Sequence, residues 1–294
     1  MYKITLGIIL IIPFLFSCKG KRETAPTYVH INAIDFRYEN ISTVGNGGTA
    51  ITDAWVYNNE NLLGVFELPA TVAITAEGIQ NISVRAGIKL NGISATREAY
   101  PFYQPWTSTI ELKPLDTAFI TPSIRYYPET GISFIENFED VVIKLDTTPY
   151  SDVALERTKV TDQPNYIEGY AGFATLTSSQ TEFSAFTKSL FMVPTTSSLP
   201  IYLEMDYKCN QEFTVYGLIS EPGTALTQIR FLTLRSTVEE GEMKWKHIYI
   251  DLTDSFLGRV QASGFGLSFT ATYTTGNPEG YIYLDNTKVV NTLQ

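Results

Sequence analysis

The chain has 294 residues, with 31 Asp and Glu against 21 Lys and Arg, and a formal net charge of −10. Its only basic cluster is Lys19, Lys21 and Arg22, so phosphate backbones should be repelled and nucleic-acid binding is excluded. A 44% hydrophobic composition supplies a proper core, while two cysteines and two histidines exclude a disulfide framework and a histidine-rich metal centre.

In chain order, Lys3 precedes an apolar run from Ile4 to Phe16, broken only by Thr5, Gly7 and Pro13. A basic residue followed by a short apolar stretch is a secretory signal pattern, shorter than the roughly 20 residues of a permanent membrane helix. Residues 1–17 are therefore read as a signal peptide. The motif Leu15-Phe16-Ser17-Cys18 resembles the lipobox of bacterial lipoproteins, with Phe16 where a smaller residue is usual. That resemblance implies cleavage before Cys18 and acylation of its sulfur. The protein would then meet the membrane through acyl chains on Cys18, each buried CH₂ adding about 0.8 kcal/mol. Residues 18–27 read as a polar, lipidated linker. Surface-exported lipoproteins of Bacteroidetes often carry acidic residues after the cysteine, where Lys19-Gly20-Lys21-Arg22 stands here. This points to the outer membrane, at its periplasmic face rather than the cell surface. Asp116-Thr117-Ala118 and Asp146-Thr147-Thr148 also resemble the O-glycosylation sites of that phylum.

From Tyr28 onward the chain reads as strand after strand. Tyr28–Phe36, Thr71–Thr75, Asn81–Arg85 and Ser108–Leu112 alternate apolar and polar residues. Short β-branched runs punctuated by Gly, Pro and Asn signal a sandwich. No helical stripe exceeds three turns, and the stretch Asp152–Lys159 is a short helix or a loop. The expected fold class is all-β: two β-sandwich domains, the second a jelly roll. Tyr126-Tyr127-Pro128-Glu129-Thr130-Gly131 breaks the composition, giving domains at 28–127 and 128–294.

In the first domain, Ala54–Gly64 reads as a hairpin, followed by Leu68-Pro69-Ala70 and Glu77–Val84. Residues 50 to 125 resemble small PEGA-like and transthyretin-like sandwiches, which implies a spacer or interaction module. The segment Tyr100-Pro101-Phe102-Tyr103-Gln104-Pro105-Trp106 is a stiff aromatic loop. Tyr100, Phe102, Tyr103 and Trp106 are expected either to form an interaction loop for an envelope protein partner or to pack against the second domain.

In the second domain three places carry a resemblance to galactose-binding-like and carbohydrate-binding jelly rolls. These are Glu136-Asn137-Phe138-Glu139-Asp140, Trp245-Lys246-His247-Ile248-Tyr249-Ile250-Asp251-Leu252 and Tyr281-Ile282-Tyr283-Leu284-Asp285-Asn286. The resemblance implies that Glu139 and Asp285 hold a structural calcium, two hard carboxylates anchoring an oxygen cage. Exposed carboxylates at strand ends are the alternative. Glycan contact would need exposed aromatic faces with nearby polar groups, and Tyr166, Tyr170 and Phe173 are the candidates. Trp245 aligns with a tryptophan that commonly packs in such folds. Cys209 lies in a strand-like run and reads as a buried thiol.

The sequence carries no H-E-x-x-H, G-x-S-x-G or G-x-x-x-x-G-K-[ST] motif. No pair among its 31 acids stands out for glycoside hydrolysis, which stays as an open, weaker alternative. The expected function is a non-catalytic outer-membrane lipoprotein acting as an accessory or interaction subunit of an envelope assembly. The alternative is a glycan-binding lipoprotein of a polysaccharide uptake system.

Overall fold

A computed structural model describes residues 25–37, 48–161, 169–196 and 199–293. The signal peptide, Cys18 and Tyr166 lie outside the described residues. Two β-sandwiches follow one another along the chain.

The first is built from β1 (Thr27–Ile31), β2 (Asp35–Phe36), β3 (Ile51–Asn58), β4 (Asn61–Glu67) and β5 (Ala70–Ile74). It continues with β6 (Gly78–Lys89), β7 (Arg97–Ala99), β8 (Trp106–Leu112), β9 (Thr117–Ile120) and β10 (Ser123–Ile124). One sheet has the order β5-β1-β9; the other runs β4-β3-β6, with β7 and β8 both on the free edge of β6. The hairpin β3–β4 turns on Asn59 and Glu60, both at positive φ, as the right-handed twist of the flanking strands requires of a two-residue loop. The stretch Phe119–Arg125 is interrupted at Pro122, and its second part, β10, pairs in parallel with β2. Val29, Ile31, Val56, Val72, Ile82, Val84 and Ile88 fill the core between the sheets.

The second sandwich comprises β11 (Thr130–Glu136), β12 (Leu145–Thr147), β13 (Glu156–Lys159), β14 (Tyr170–Leu176), β15 (Glu182–Thr187) and β16 (Ile201–Cys209). Then come β17 (Phe213–Ser220), β18 (Thr227–Leu234), β19 (Val238–Glu239), β20 (Glu242–Met243), β21 (Lys246–Asp251), the single-turn helix α1 (Thr253–Phe256), β22 (Gly264–Thr272) and β23 (Gly280–Thr292). The region 152–159 is not helical: its second half is β13, paired antiparallel with β14. A six-stranded sheet has the order β13-β14-β23-β16-β21, with β11 pairing the second half of β23. It faces a five-stranded sheet of order β12-β15-β22-β17-β18. Leu203, Met205, Ile282 and Leu284 from one sheet meet Phe183, Val215, Leu267 and Phe269 from the other. The architecture is all-β, two sandwiches, the second with jelly-roll layering.

All nine residues of β16 are buried. One face of the strand looks into the jelly-roll core; on the other, Tyr202, Glu204 and Asp206 meet the first sandwich, and Lys208 lies against the Tyr283 and Trp245 rings. Tyr202, Tyr249 and Val290 of the second sandwich belong to the core of the first. Charged groups are enclosed in the same contact. Tyr100 donates its hydroxyl proton to Glu204, Tyr126 donates to both Glu204 oxygens at 2.8 Å, and Lys288 Nζ stands 3.1 Å from Glu204 Oε2. Asp206 accepts from Gly48 N at 2.9 Å and Asn286 Nδ2 at 3.0 Å, with His247 Nδ1 2.8 Å away. Burial, and then the Glu204 carboxylate, push the Tyr100 hydroxyl far above its ordinary pKa, so it remains a donor. This joint corrects the expectation of an exposed interaction loop. Tyr100, Phe102 and Tyr103 are buried, with Tyr100 edge-on to Tyr202 at 5.3 Å, because the loop's apolar rings fill the junction between the sandwiches. Trp106 is half-buried beside them.

Candidate functional site

The outward face of the five-stranded sheet is organised around β22. Strand alternation sends Phe265, Leu267, Phe269 and Ala271 into the core. The opposite face of β22 then carries only small residues: Gly264, Gly266, Ser268, Thr270 and Thr272. Its neighbours carry large ones. Phe186 on β15 and Tyr216 on β17 both stand opposite Ser268. The row extends to Asp146 on β12, paired with Phe186, and to Arg230 on β18, paired with Tyr216. With strands about 4.8 Å apart, the two aromatic positions are separated by about 10 Å, and the row spans about 19 Å. The result is a trough: a hydroxyl-lined floor, an aromatic ring on each side, a carboxylate at one end and a guanidinium at the other. Beside Tyr216 the hydroxyl oxygens of Thr214 and Thr233 lie 2.8 Å apart.

The four groups flanking Ser268 have free capacity, while Ser268 itself is buried beneath them. Phe186 and Tyr216 are half-exposed, and neither ring stacks on another aromatic among the described residues. Arg230 donates to Thr233 Oγ1 and makes no ion pair among the described residues. Asp146 is exposed and accepts only from Thr147 N, at 2.9 Å, among the described residues. Leu190 forms a rim at one side, since a Cβ on Gly264 would fall 2.7 Å from Leu190 Cβ. Glycine is required there by that close approach.

The outer face of the six-stranded sheet contrasts with this. Phe173 packs on Tyr283 at 4.5 Å, and Lys208 Nζ lies 4.7 Å from the Tyr283 ring and 5.4 Å from that of Trp245. Its rings are engaged with one another. Tyr170 is also engaged: it packs against the jelly-roll core, and the Arg157 guanidinium sits 3.2 Å over its ring. The ring expected as a glycan contact is thus stacked with a guanidinium and half-buried.

Glu139 and Asp285 come into each other's field. Asp285 is buried on β23, and its Oδ1 accepts from Asn286 N at 2.7 Å. Burial pushes its carboxyl up to about 9; the Asn286 hydrogen bond opposes this, and the Asp206, Glu139 and Glu136 carboxylates add to it. Glu139 is half-buried and accepts from Tyr170 N at 2.9 Å. Among the described residues no group of three or more His, Cys, Asp or Glu side chains is arranged to hold a metal ion. Cys209 is buried, with its thiol pushed up to about 12 by burial.

No protein-family model and no curated protein matches the chain. Solved structures similar to it include a xylanase 10B fragment of Clostridium thermocellum, carbohydrate-binding module 22-1 with its GH10 module, complexed with xylohexaose. The identity is 13% and the TM-score 0.38, over 55% of this chain and 28% of that one. A xylan-binding domain from carbohydrate-binding module family 22 gives 10% identity and a TM-score of 0.37, over 57% and 99%. The K3 adhesin domain of Lys-gingipain from Porphyromonas gingivalis gives 11% and 0.35, over 55% and 98%. These likenesses are of architecture alone. None of the residues in the trough was singled out by the sequence as a ligand contact, because Phe186, Tyr216 and Ser268 lie on three strands joined only by long connections.

Proposed function

We propose that the jelly roll is a non-catalytic glycan-binding module whose ligand lies across the β15–β22–β17 trough. The observation that carries this reading is the Asp146–Phe186–Ser268–Tyr216–Arg230 row. A sugar ring presents apolar C–H faces and a rim of hydroxyls. Unstacked aromatic rings take the former, and hydroxyl, carboxylate and guanidinium groups take the latter. A row of about 19 Å accommodates an oligosaccharide rather than a single sugar. Of the two functional expectations, this supports the glycan-binding lipoprotein over the envelope interaction subunit, whose aromatic loop is enclosed at the joint. The Leu15–Cys18 motif supports attachment of the binder to the outer membrane through Cys18.

Affinity electrophoresis of the chain through gels containing soluble xylan, mannan, galactan or mixed-linkage glucan tests the proposal. At least one neutral polysaccharide should retard the wild type. Phe186→Ala and Tyr216→Ala should each restore free migration while keeping the native circular dichroism spectrum. Free migration of the wild type through every gel, or retardation unaffected by both variants, would overturn it.

A structural calcium held by Glu139 and Asp285 is a second proposal, supported by the resemblance of the Glu136–Asp140 and Tyr281–Asn286 segments to carbohydrate-binding jelly rolls. When bound, the ion would supply charge balance to a fold junction. Glu139 and Asp285 would hold it and the backbone would complete the oxygen shell.

A further inference from the structure

The first sandwich carries a cleft of about 380 Å³ lined by Arg37, Gln104, Trp106, Thr107, Ser123 and Arg125. Its construction is unusual for a chain of net charge −10. β2 and β10 run parallel with Phe36 opposite Ile124, so Arg37 and Arg125 follow side by side in the same register. Arg37 N donates to Ile124 O at 2.8 Å, which fixes the pair at the cleft wall. Two guanidinium groups thus line one cleft. Arg37 is exposed and makes no ion pair among the described residues. The Ser123 hydroxyl, behind the wall, is shut off from solvent without a hydrogen-bond partner among the described residues. Gln104 is held in position by donating to Tyr126 O at 3.0 Å, with its Oε1 3.4 Å from Arg125 Nε. Trp106, half-buried, closes the other side with an indole face.

We propose that this cleft binds a carboxylate-bearing sugar, a uronic-acid unit of an acidic polysaccharide. Guanidinium groups grip a carboxylate through paired, charge-assisted hydrogen bonds. The indole face takes the C–H surface of the ring, and Gln104 and Thr107 match hydroxyls. The volume lies in the range of small-ligand sites and suits one or two sugar units. The site is independent of the trough on the jelly roll, which carries the neutral-glycan proposal.

Isothermal titration of the whole chain with a galacturonic-acid trimer tests it, with the neutral galactose trimer as control. Binding should be specific to the acid and weaken as salt is raised, because screening reduces the charge contribution. Arg37→Gln, an exposed change that spares the core, and Arg125→Gln should each weaken it about tenfold or more. Phe186→Ala and Tyr216→Ala should leave it unchanged. No heat with the acidic trimer, equal binding of the neutral trimer, or unaltered affinity in Arg37→Gln would overturn the proposal. Loss in the trough variants instead would place the acidic sugar in the trough and equally overturn it.

Discussion

Replacing Lys288 by Met tests whether the buried joint stabilises the pair of sandwiches through its charges. Lys288 is 2% exposed, and its Nζ is 3.1 Å from Glu204 Oε2. At an effective dielectric of about 20 the pair attracts by about 5 kcal/mol. Removing the cation leaves Glu204 buried with the hydroxyls of Tyr100 and Tyr126 as donors, and breaking such a pair costs about 3–5 kcal/mol. At about 2–4 °C per kcal/mol for a domain of this size, the melting temperature should fall by about 6–20 °C. Calorimetry should also show the single transition broadening or splitting, because Glu204, the group left without its cation, is the one that Tyr100 and Tyr126 of the first sandwich hold. The double variant Lys288→Met with Glu204→Gln removes the stranded charge and should regain at least about 2 kcal/mol over the sum of the single losses. Strictly additive losses, or a change below about 1 kcal/mol in Lys288→Met, would refute the reasoning.

Asp285 should make stability depend on pH in the direction opposite to an ion-paired carboxylate. Its folded-state pKa is raised from 3.8 to about 9, so the folded chain keeps a proton that the unfolded chain releases. The contribution is complete below about pH 4 and is lost as pH rises towards 9. Asp285→Asn should flatten the melting temperature between those limits in calcium-free buffer; an unchanged slope would count against the burial argument. Millimolar calcium should raise the wild-type melting temperature at neutral pH and leave Asp285→Asn unmoved, and equal curves with calcium and with chelator would remove the metal proposal. The Cys209 thiol, pushed up to about 12 by burial, should resist iodoacetamide in mildly alkaline buffer until denaturant is added. Rapid alkylation of the native chain would contradict its place in the core.

Strand content was legible wherever one face of a strand meets water. Tyr28–Ile31 and Ala70–Ile74 alternate buried and accessible positions, and the sequence alternates with them. β16 obeys the same chemistry but hides its outcome. Glu204, Asp206 and Lys208 read as a solvent-facing side, yet Glu204 and Asp206 are fully buried, because a second sandwich from a remote part of the chain covers them. The Tyr100–Trp106 loop could be identified as unusual, but its choice between an outside partner and the second sandwich depended on that same docking. The short β13 in 152–159 was obscured because only four residues pair. The trough was the least visible feature. Each of its residues is ordinary in its own strand, and the pattern exists only across strands, where register brings together positions 146, 186, 268, 216 and 230.

The double burial of β16 has a geometric consequence. The first sandwich backs the six-stranded sheet, whereas the trough opens from the five-stranded sheet on the far side, a layer about 10 Å away. Interlocked tyrosines and enclosed charges tie the two bodies together. The trough therefore faces away from the first sandwich, which braces the jelly roll from behind and leaves the ligand's approach open instead of closing over it as a second jaw.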